Sequence, residues 1–198
     1  MKGIMMKMFL RTCIVWAGLS VFFIGCGSKN PYILIKSEFG DIEVEVYDKK
    51  APITALNFLR YVDANAFEGG SFYRTVTMDN QPNNDVKIEV IQGGAKREVE
   101  RFPAIEHETT DMTGVLHKNG VISMARSDPG SATSEFFVCV NDQPELNFGG
   151  KRNPDGQGFA AFGRVVRGMD VVRKIHGQPA DGQRLDPSVK ILNIIRVE

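Results

Sequence analysis

The chain contains 198 residues, of which 42% are hydrophobic and 24% are charged, a composition that excludes intrinsic disorder and suits one domain with an appendage. Its 24 lysines and arginines balance 24 aspartates and glutamates, which argues against a nucleic-acid partner, because phosphate binding requires a basic surface. Three cysteines are too few for a disulfide framework.

The amino terminus has the pattern of an export signal. Basic residues come first, the apolar run 13–24 follows, and Cys26 stands directly after Gly25. This order is typical of a secretory signal peptide, and its end resembles the lipobox of bacterial lipoproteins, in which cleavage precedes a cysteine that is then acylated. Alternatively, the run is an ordinary membrane anchor and the cysteine is incidental. We predict a signal peptide over 1–25, lipidation of Cys26 and a polar tether over 26–31.

The predicted lipid anchor also implies a location. A lipoprotein signal implies a bacterial cell envelope, with the globular domain facing the periplasm. Gly27 rather than aspartate follows the cysteine, which in many lipoproteins favours the outer membrane over the inner one. We therefore expect a membrane contact through the lipid anchor alone.

The remaining residues, 32–198, are predicted to form one domain of short strands. In residues 41–47 apolar and polar side chains alternate, which is typical of a strand with one buried face. The segment before this strand can pair with it through a short turn. Taken in chain order, the predicted strands cover residues 32–36, 41–47, 72–76, 87–92, 121–125, 136–140, 160–166 and 189–197.

Two helices complete the predicted architecture. Pro52 suits the first turn of a helix, where its missing N–H is not needed, and apolar residues then recur at helical spacing until the glycine pair at 69–70. Residues 168–176 have the pattern of a second helix. Many short strands with only two helices indicate a mainly β protein, a closed antiparallel barrel.

Several kinds of site are disfavoured by the residues present. The sequence has no nucleophile elbow and no P-loop, and the glycines in 149–158 do not lie between a strand and a helix as a dinucleotide fingerprint requires. Carboxylates surround His107, but no second histidine or cysteine stands at ligand spacing, so we expect no metal. Cys139 lies in an apolar strand and is predicted to be a buried, inert thiol. We expect no cofactor.

Five segments, in this order along the chain, resemble the characteristic segments of cyclophilin-type peptidyl-prolyl cis-trans isomerases. They are residues 51–58 (APITALNF), 70–76 (GSFYRTV), 90–94 (VIQGG), 120–137 (GVISMAR followed by SATSEFF) and 161–172 (AFGRV followed by GMDVV). The resemblance covers residues 32 to 197. It implies an eight-stranded antiparallel barrel capped by two helices, in agreement with the strands and helices predicted above.

The resemblance also implies the roles of particular residues. Arg74 matches the catalytic arginine that donates a hydrogen bond to the nitrogen of the substrate proline, and Gln92 matches the glutamine that orients it and binds the substrate backbone. The remaining matches are expected to contact the bound peptide; they are Val90, Ala125, Arg126, Glu135, Phe137, Leu146 and Phe159. Without the flanking motifs, Arg74 would equally suit a surface ion pair, and Phe137 would suit ordinary core.

Two features depart from the family pattern. Arg74 and Gln92 are eighteen residues apart, a wider spacing than in much of the family, and the extra residues fall around 79–85. A hairpin tip can lengthen at modest entropic cost, so we predict an enlarged loop and an intact site. Glu135 stands where the family commonly has glutamine. We expect its carboxylate to lie near Arg74 and to fix the guanidinium.

These observations predict a peptidyl-prolyl cis-trans isomerase that acts on X-Pro bonds of proteins in the bacterial cell envelope and assists their folding. The alternative is a chaperone or assembly module that binds proline-containing peptides with weak or no isomerase turnover. In either case the expected partners are proline-containing polypeptides and the membrane. We expect no nucleic-acid partner and a monomeric protein.

Overall fold

The computed structural model describes residues 29–197, so the predicted signal peptide and the predicted lipidation site Cys26 lie outside the described residues. The described strands are β1 (Tyr32–Ser37), β2 (Gly40–Val46), β3 (Ser71–Val76), β4 (Val90–Gly94), β5 (Val121–Met124), β6 (Phe136–Cys139), β7 (Ala160–Arg167), β8 (Ala180–Asp181) and β9 (Arg184–Val197). The helices are α1 (Pro52–Asp63), α2 (Thr110–Thr113) and α3 (Met169–His176), with a 3-10 turn at Pro144–Leu146.

Eight of these strands close into an antiparallel barrel. Hydrogen-bonded neighbours follow the order β1-β2-β7-β5-β6-β4-β3-β9, and β9 also pairs with β1, which joins the two ends of the sheet. The short strand β8 forms a hairpin with β9 outside this circuit. Closure leaves no unpaired edge among the eight strands. The predicted eight-stranded barrel is therefore confirmed.

The barrel interior is filled by alternate strand residues and by a cluster of aromatic rings. Ile33 and Ile35 of β1 are fully buried, as the alternation in the sequence predicts. Helix α1 contributes Phe58, whose ring centroid lies 4.9 Å from that of Phe162 and 5.1 Å from that of Phe67. These contacts fix α1 against the barrel, because such rings bury a large apolar area in one place.

The structure differs from the predicted element boundaries at two places near the later site. Strand β4 begins at Val90 rather than at residue 87, because the side-chain amide of Gln81 bonds both the backbone N–H and the carbonyl of Ile88. The predicted last strand begins earlier, at Arg184, because β8 pairs with it. Both differences depend on contacts between distant residues, which local composition does not show.

Three further features bear on the sequence analysis: membrane-spanning helices, metal-binding groups and the thiol of Cys139. Within residues 29–197, no helix is long and apolar enough to cross a membrane. The same residues contain no group of three histidine, cysteine, aspartate or glutamate side chains able to hold a metal ion. Cys139 is fully buried, and desolvation raises the pKa of its thiol, so the predicted inert thiol agrees with its surroundings.

Candidate active site

A β-bulge in β3 decides which side of the barrel Arg74 faces. Phe72 pairs with Gly93, whereas Arg74 pairs with Gln92, so one extra residue, Tyr73, is inserted in β3. In a regular strand Arg74 would share the interior face with the fully buried Phe72. The bulge shifts the alternation by one residue. Tyr73 and Arg74 are consequently both half-buried on the outer side of the sheet.

Strand register places the predicted catalytic residues in one row. Arg74 of β3 lies opposite Gln92 of β4, and Gln92 lies opposite Phe137 of β6. With neighbouring strands about 4.8 Å apart, Arg74 and Phe137 are separated by about 10 Å of sheet. In the next row, Val76 lies opposite Val90. The structure therefore assembles on one face residues that are far apart in the sequence.

An apolar cluster occupies this face, separate from the interior of the barrel. Its buried members are Val76, Ile88, Val90, Phe137, Cys139 and Leu146, with Ala125 and Phe159 packed against them. The rings of Phe137 and Phe159 meet edge to face at 5.2 Å. The structure thus brings together all five apolar residues that the resemblance assigns to peptide binding. Their role in binding stays a prediction.

The guanidinium of Arg74 is held by two neutral amides. Its Nη1 donates to Oε1 of Gln92 at 2.7 Å, and its Nε and Nη2 donate to Oε1 of Gln183 at 3.0 and 2.6 Å. Among residues 29–197, no carboxylate forms an ion pair with Arg74. Burial lowers the pKa of Arg74, but an arginine stays protonated at physiological pH. The site therefore contains a partly desolvated positive charge without a counterion.

Glu135 is separated from Gln92 and Arg74 by Tyr73, which the bulge places between them. Its carboxylate Oε2 accepts a hydrogen bond from Oη of Tyr73 at 2.6 Å, and Oε1 lies 3.5 Å from Nη2 of Arg101. Glu135 therefore does not bond Arg74 itself and is linked to it through Tyr73 and Gln92. Burial raises the pKa of Glu135, and the Tyr73 hydrogen bond and the charge of Arg101 oppose this shift.

Tyr73 connects Glu135 to the glutamine that contacts Arg74. Nε2 of Gln92 donates to Oη of Tyr73 at 2.7 Å. A tyrosine hydroxyl has one proton, and here Glu135 accepts it, so the hydroxyl can only accept from Gln92. This fixes the Gln92 amide with its oxygen towards Arg74. Burial, and next the Glu135 hydrogen bond, raise the pKa of Tyr73, so the hydroxyl keeps this proton.

The enlarged loop between β3 and β4 supports the site. Asn80 donates from Nδ2 to the carbonyls of Thr75 and Gly182, and its own carbonyl accepts from Nε2 of Gln183. Gln183 in turn accepts from Arg74. The predicted loop is present over residues 77–89, the contact between Arg74 and Gln92 is intact, and the loop holds the second amide that binds Arg74.

The side chain of Arg126, unlike the apolar matches, is bonded to other residues of the protein and lies outside the apolar cluster. Its guanidinium donates to the carbonyl of Gly158 at 2.6 and 2.9 Å, forms two contacts with Asp155 at 2.8 and 2.9 Å, and lies over the ring of Phe159. Its side chain is only 1% exposed. The side chain of Arg126 therefore stabilises the loop that carries Phe159. A bound peptide could contact Arg126 only through its main chain, because the side chain is buried.

A buried histidine supports the apolar cluster from behind, and the sequence analysis did not single it out. The ring of His117 stacks on Phe137 with centroids 5.9 Å apart. Oδ1 of Asn147 accepts from the backbone N–H of His117 and lies 2.9 Å from Nδ1, so Nδ1 carries the proton and Nε2 accepts from Ser123 at 3.0 Å. No sequence motif marks His117, because its partners come from two other segments.

Burial of His117 makes stability depend on pH. Desolvation lowers the pKa of His117 from 6.5 to about 4, so the unfolded chain binds the extra proton more readily than the folded protein between these values. We expect the contribution of His117 to the free energy of unfolding to be constant above pH 6.5 and to be lost as the pH falls towards 4. The expected loss at pH 4.5 relative to pH 7 is roughly 2 kcal/mol. Urea denaturation at pH 7, 5.5 and 4.5 measures this loss.

The matched variants for this experiment are His117→Gln and His107→Gln. The His117→Gln protein is expected to be less stable at pH 7 but to lose less stability on acidification than the wild type. His107→Gln should keep the wild-type slope. The same slope in all three proteins would contradict the assignment to His117.

Comparison with known proteins identifies the family. The profile of the family described as cyclophilin type peptidyl-prolyl cis-trans isomerase/CLD matches residues 32–196. A peptidyl-prolyl cis-trans isomerase of Acinetobacter baylyi is 37% identical over 177 residues, which cover 87% of this chain and 85% of the relative. The peptidyl-prolyl cis-trans isomerase B of Escherichia coli is 34% identical over 148 residues, which cover 73% and 84%.

Solved structures show the same fold. A cyclophilin type peptidyl-prolyl cis-trans isomerase of Cryptosporidium parvum superposes with a TM-score of 0.69 at 18% identity, over 85% of this chain and 98% of the other. A second structure of that protein, determined in the presence of the dipeptide Ala-Pro, gives a TM-score of 0.68 at 18% identity, over 84% and 99%. The chain therefore belongs to the cyclophilin-type peptidyl-prolyl cis-trans isomerases.

Proposed function

We propose that this isomerase acts on X-Pro bonds of proteins in the bacterial cell envelope and assists their folding, with Arg74 as its catalytic residue. The observation that carries the assignment of Arg74 is its guanidinium, which is held by Gln92 and Gln183 without a counterion in the described structure. This charge lies in the same row of the sheet as Phe137 of the apolar cluster.

The reaction itself requires only stabilisation of a twisted amide. Rotation about an X-Pro bond must overcome a barrier of about 18–20 kcal/mol, because it breaks the resonance between the nitrogen and the carbonyl. As resonance is lost, the proline nitrogen regains its lone pair and becomes a hydrogen-bond acceptor. A donor aimed at this nitrogen binds the twisted state more tightly than either planar state, and this difference is what lowers the barrier.

Arg74 has donors left for this purpose. A guanidinium has five N–H groups, and the bonds to Gln92 and Gln183 use Nε–H and one N–H on each terminal nitrogen. Two N–H groups remain for a peptide. Both partners of the guanidinium are neutral amides, so within residues 29–197 no carboxylate paired with Arg74 weakens its positive charge. Each 1.36 kcal/mol gained in the twisted state corresponds to about tenfold in rate.

The apolar cluster supplies the complementary part of the site. Phe137 and Leu146 are 4% and 1% exposed and offer an apolar floor and wall for the proline ring, and the half-buried Phe159 lies at the rim. Burial of the ring removes apolar area from water and binds the proline without restraining its amide bond. Ala125, with its N–H bonded to the carbonyl of Glu135, lies beside this pocket.

Substitution of Arg74 tests the catalytic proposal directly. We expect Arg74→Ala to lower kcat/KM on a cis X-Pro peptide by about 100-fold or more, and Arg74→Lys to recover only part of the loss, because lysine keeps the charge but lacks the planar fork. The measurement is a protease-coupled isomerisation assay, with the exposed Arg173 of α3 changed to alanine as the control. Equal, accelerated rates for wild type and Arg74→Ala would contradict the assignment of Arg74, whereas two rates equal to the uncatalysed one would favour the peptide-binding module without turnover.

Tyr73 is expected to act on the rate through Gln92. Tyr73→Phe removes the acceptor that fixes the Gln92 amide, so we expect kcat to fall by about three- to tenfold while KM changes little. Glu135→Gln allows the Tyr73 hydroxyl to reorient, so a smaller fall is expected. The same assay measures both, with Tyr32→Phe on β1 as the control. A kcat equal to wild type in Tyr73→Phe would contradict this chain of contacts.

We further propose that acylated Cys26 anchors the protein to the membrane, the outer one in preference to the inner, with the domain facing the periplasm. The support is the order of basic residues, apolar run and Cys26 at the amino terminus. Cys26→Ala is expected to move the full-length protein from the detergent phase to the aqueous phase in detergent-phase partitioning. Cys13→Ala, within the apolar run, is the control and should partition as the wild type does. Unchanged partitioning of Cys26→Ala would remove the acylation proposal.

A further inference from the structure

A polar groove of about 1240 Å³ opens beside Arg74, and it shares no residue with the apolar cluster. Its floor is the segment of β3 that includes Ser71, Tyr73 and Arg74. One wall is the segment that follows β4, with Lys96 and Arg97. The groove is continuous with the candidate active site, because Arg74 belongs to both.

The opposite wall comes from β9. Phe72 lies opposite Val189 and Arg74 lies opposite Arg184, so β9 has four residues, 185–188, where β3 has only Tyr73. These residues line the groove. Because β4 and β9 flank β3 on its two sides, the Lys96 wall and the β9 wall face each other across the floor.

Two glycines allow the backbone to pack closely at the end of the floor. A side chain on Gly70 would come within 2.3 Å of the carbonyl oxygen of Gly94, so only glycine permits this close approach of the two backbones. Gly69 has a φ of +67°, a left-handed conformation that also favours glycine, and the side chain of Lys96 lies directly over it. The exposed side chain of Lys96 therefore lies at this end of the groove.

The charges in the groove do not cancel. Four positively charged residues line it, Arg74, Lys96, Arg97 and Arg184, against the three carboxylates of Glu135, Asp181 and Asp186. Glu135 is bonded to Tyr73 and Arg101, and the charge of Arg97 also acts on it. Within residues 29–197, the Lys96 ammonium forms no ion pair. The groove is therefore positive, although the chain as a whole is neutral.

We propose that this groove binds the part of the substrate that flanks the isomerised proline, and that Lys96 and Arg97 select an acidic side chain about three residues away from it. The proposal rests on the proposed function in taking Arg74 as the position of the proline amide. From Arg74 to Ser71, which lies opposite Gly94 beside the Lys96 wall, β3 extends by about 10 Å. Three residues of extended peptide span the same distance.

Peptides that differ in one charge test the selection. The test uses alanine-rich peptides with one proline and with glutamate, glutamine or lysine three residues before or after it. At low ionic strength we expect the glutamate peptide to exceed the lysine peptide about three- to fivefold in both kcat/KM and affinity. We expect this preference when the charged residue stands on one side of the proline and not when it stands on the other. The preference should shrink at high salt, because the charges are exposed. Kd is measured by fluorescence anisotropy of labelled peptides, independently of turnover.

Charge reversal of the wall provides the matched variants. The double variant Lys96→Glu, Arg97→Glu is expected to invert the preference between glutamate and lysine peptides. Arg173→Glu, an equal change of charge on α3, should keep the wild-type preference. Equal affinities for all peptides, a lysine preference in the wild type, or a glutamate preference that survives the double variant would overturn the proposal.

The peptide Kd and the isomerisation rate together separate this proposal from the proposed function. Charge-dependent Kd values without isomerisation of any peptide would support the groove and contradict the assignment of Arg74 as a working catalyst. Isomerisation with rates and Kd values independent of the flanking charge would support the catalytic assignment and overturn the groove.

Discussion

The site depends on one positive charge that is partly removed from water and left without a counterion. Arg74 bonds only the amide oxygens of Gln92 and Gln183 within the described residues. A carboxylate in either place would stabilise the guanidinium more strongly but would also neutralise the field at the proline nitrogen. Neutral amides orient the charge and leave its field available, which is the preorganisation that stabilises a twisted amide.

The β-bulge in β3 makes this arrangement possible. If β3 were a regular strand without the bulge, its alternation would place Arg74 on the same face as the buried Phe72. A lone guanidinium in the barrel interior would be strongly unfavourable. The same insertion brings the Tyr73 hydroxyl between Gln92 and Glu135. One irregularity of the backbone therefore exposes the charge and also supplies the contact that orients its partner.

The residues that orient Arg74 come from several segments that are distant in the sequence. Gln92 is fixed by Tyr73, and Gln183 is held by Asn80 of the enlarged loop between β3 and β4. Gln183 also lies in the β8–β9 turn that borders the polar groove. A longer loop thus preserves the catalytic geometry, because the loop is tied to the residues that hold the guanidinium.

The amino-acid sequence was enough to predict the barrel, the five apolar residues of the site and the contact between Arg74 and Gln92, because alternation and family motifs are local patterns that survive a longer loop. Gln183, the Tyr73 bulge and His117 could not be predicted, since each acts through partners from other segments and none has a local pattern of its own. The indirect link from Glu135 to Arg74 through Tyr73 could not be predicted for the same reason. Register between strands is set by closure of the whole barrel, so the polar contacts of the site emerge only when the barrel is complete.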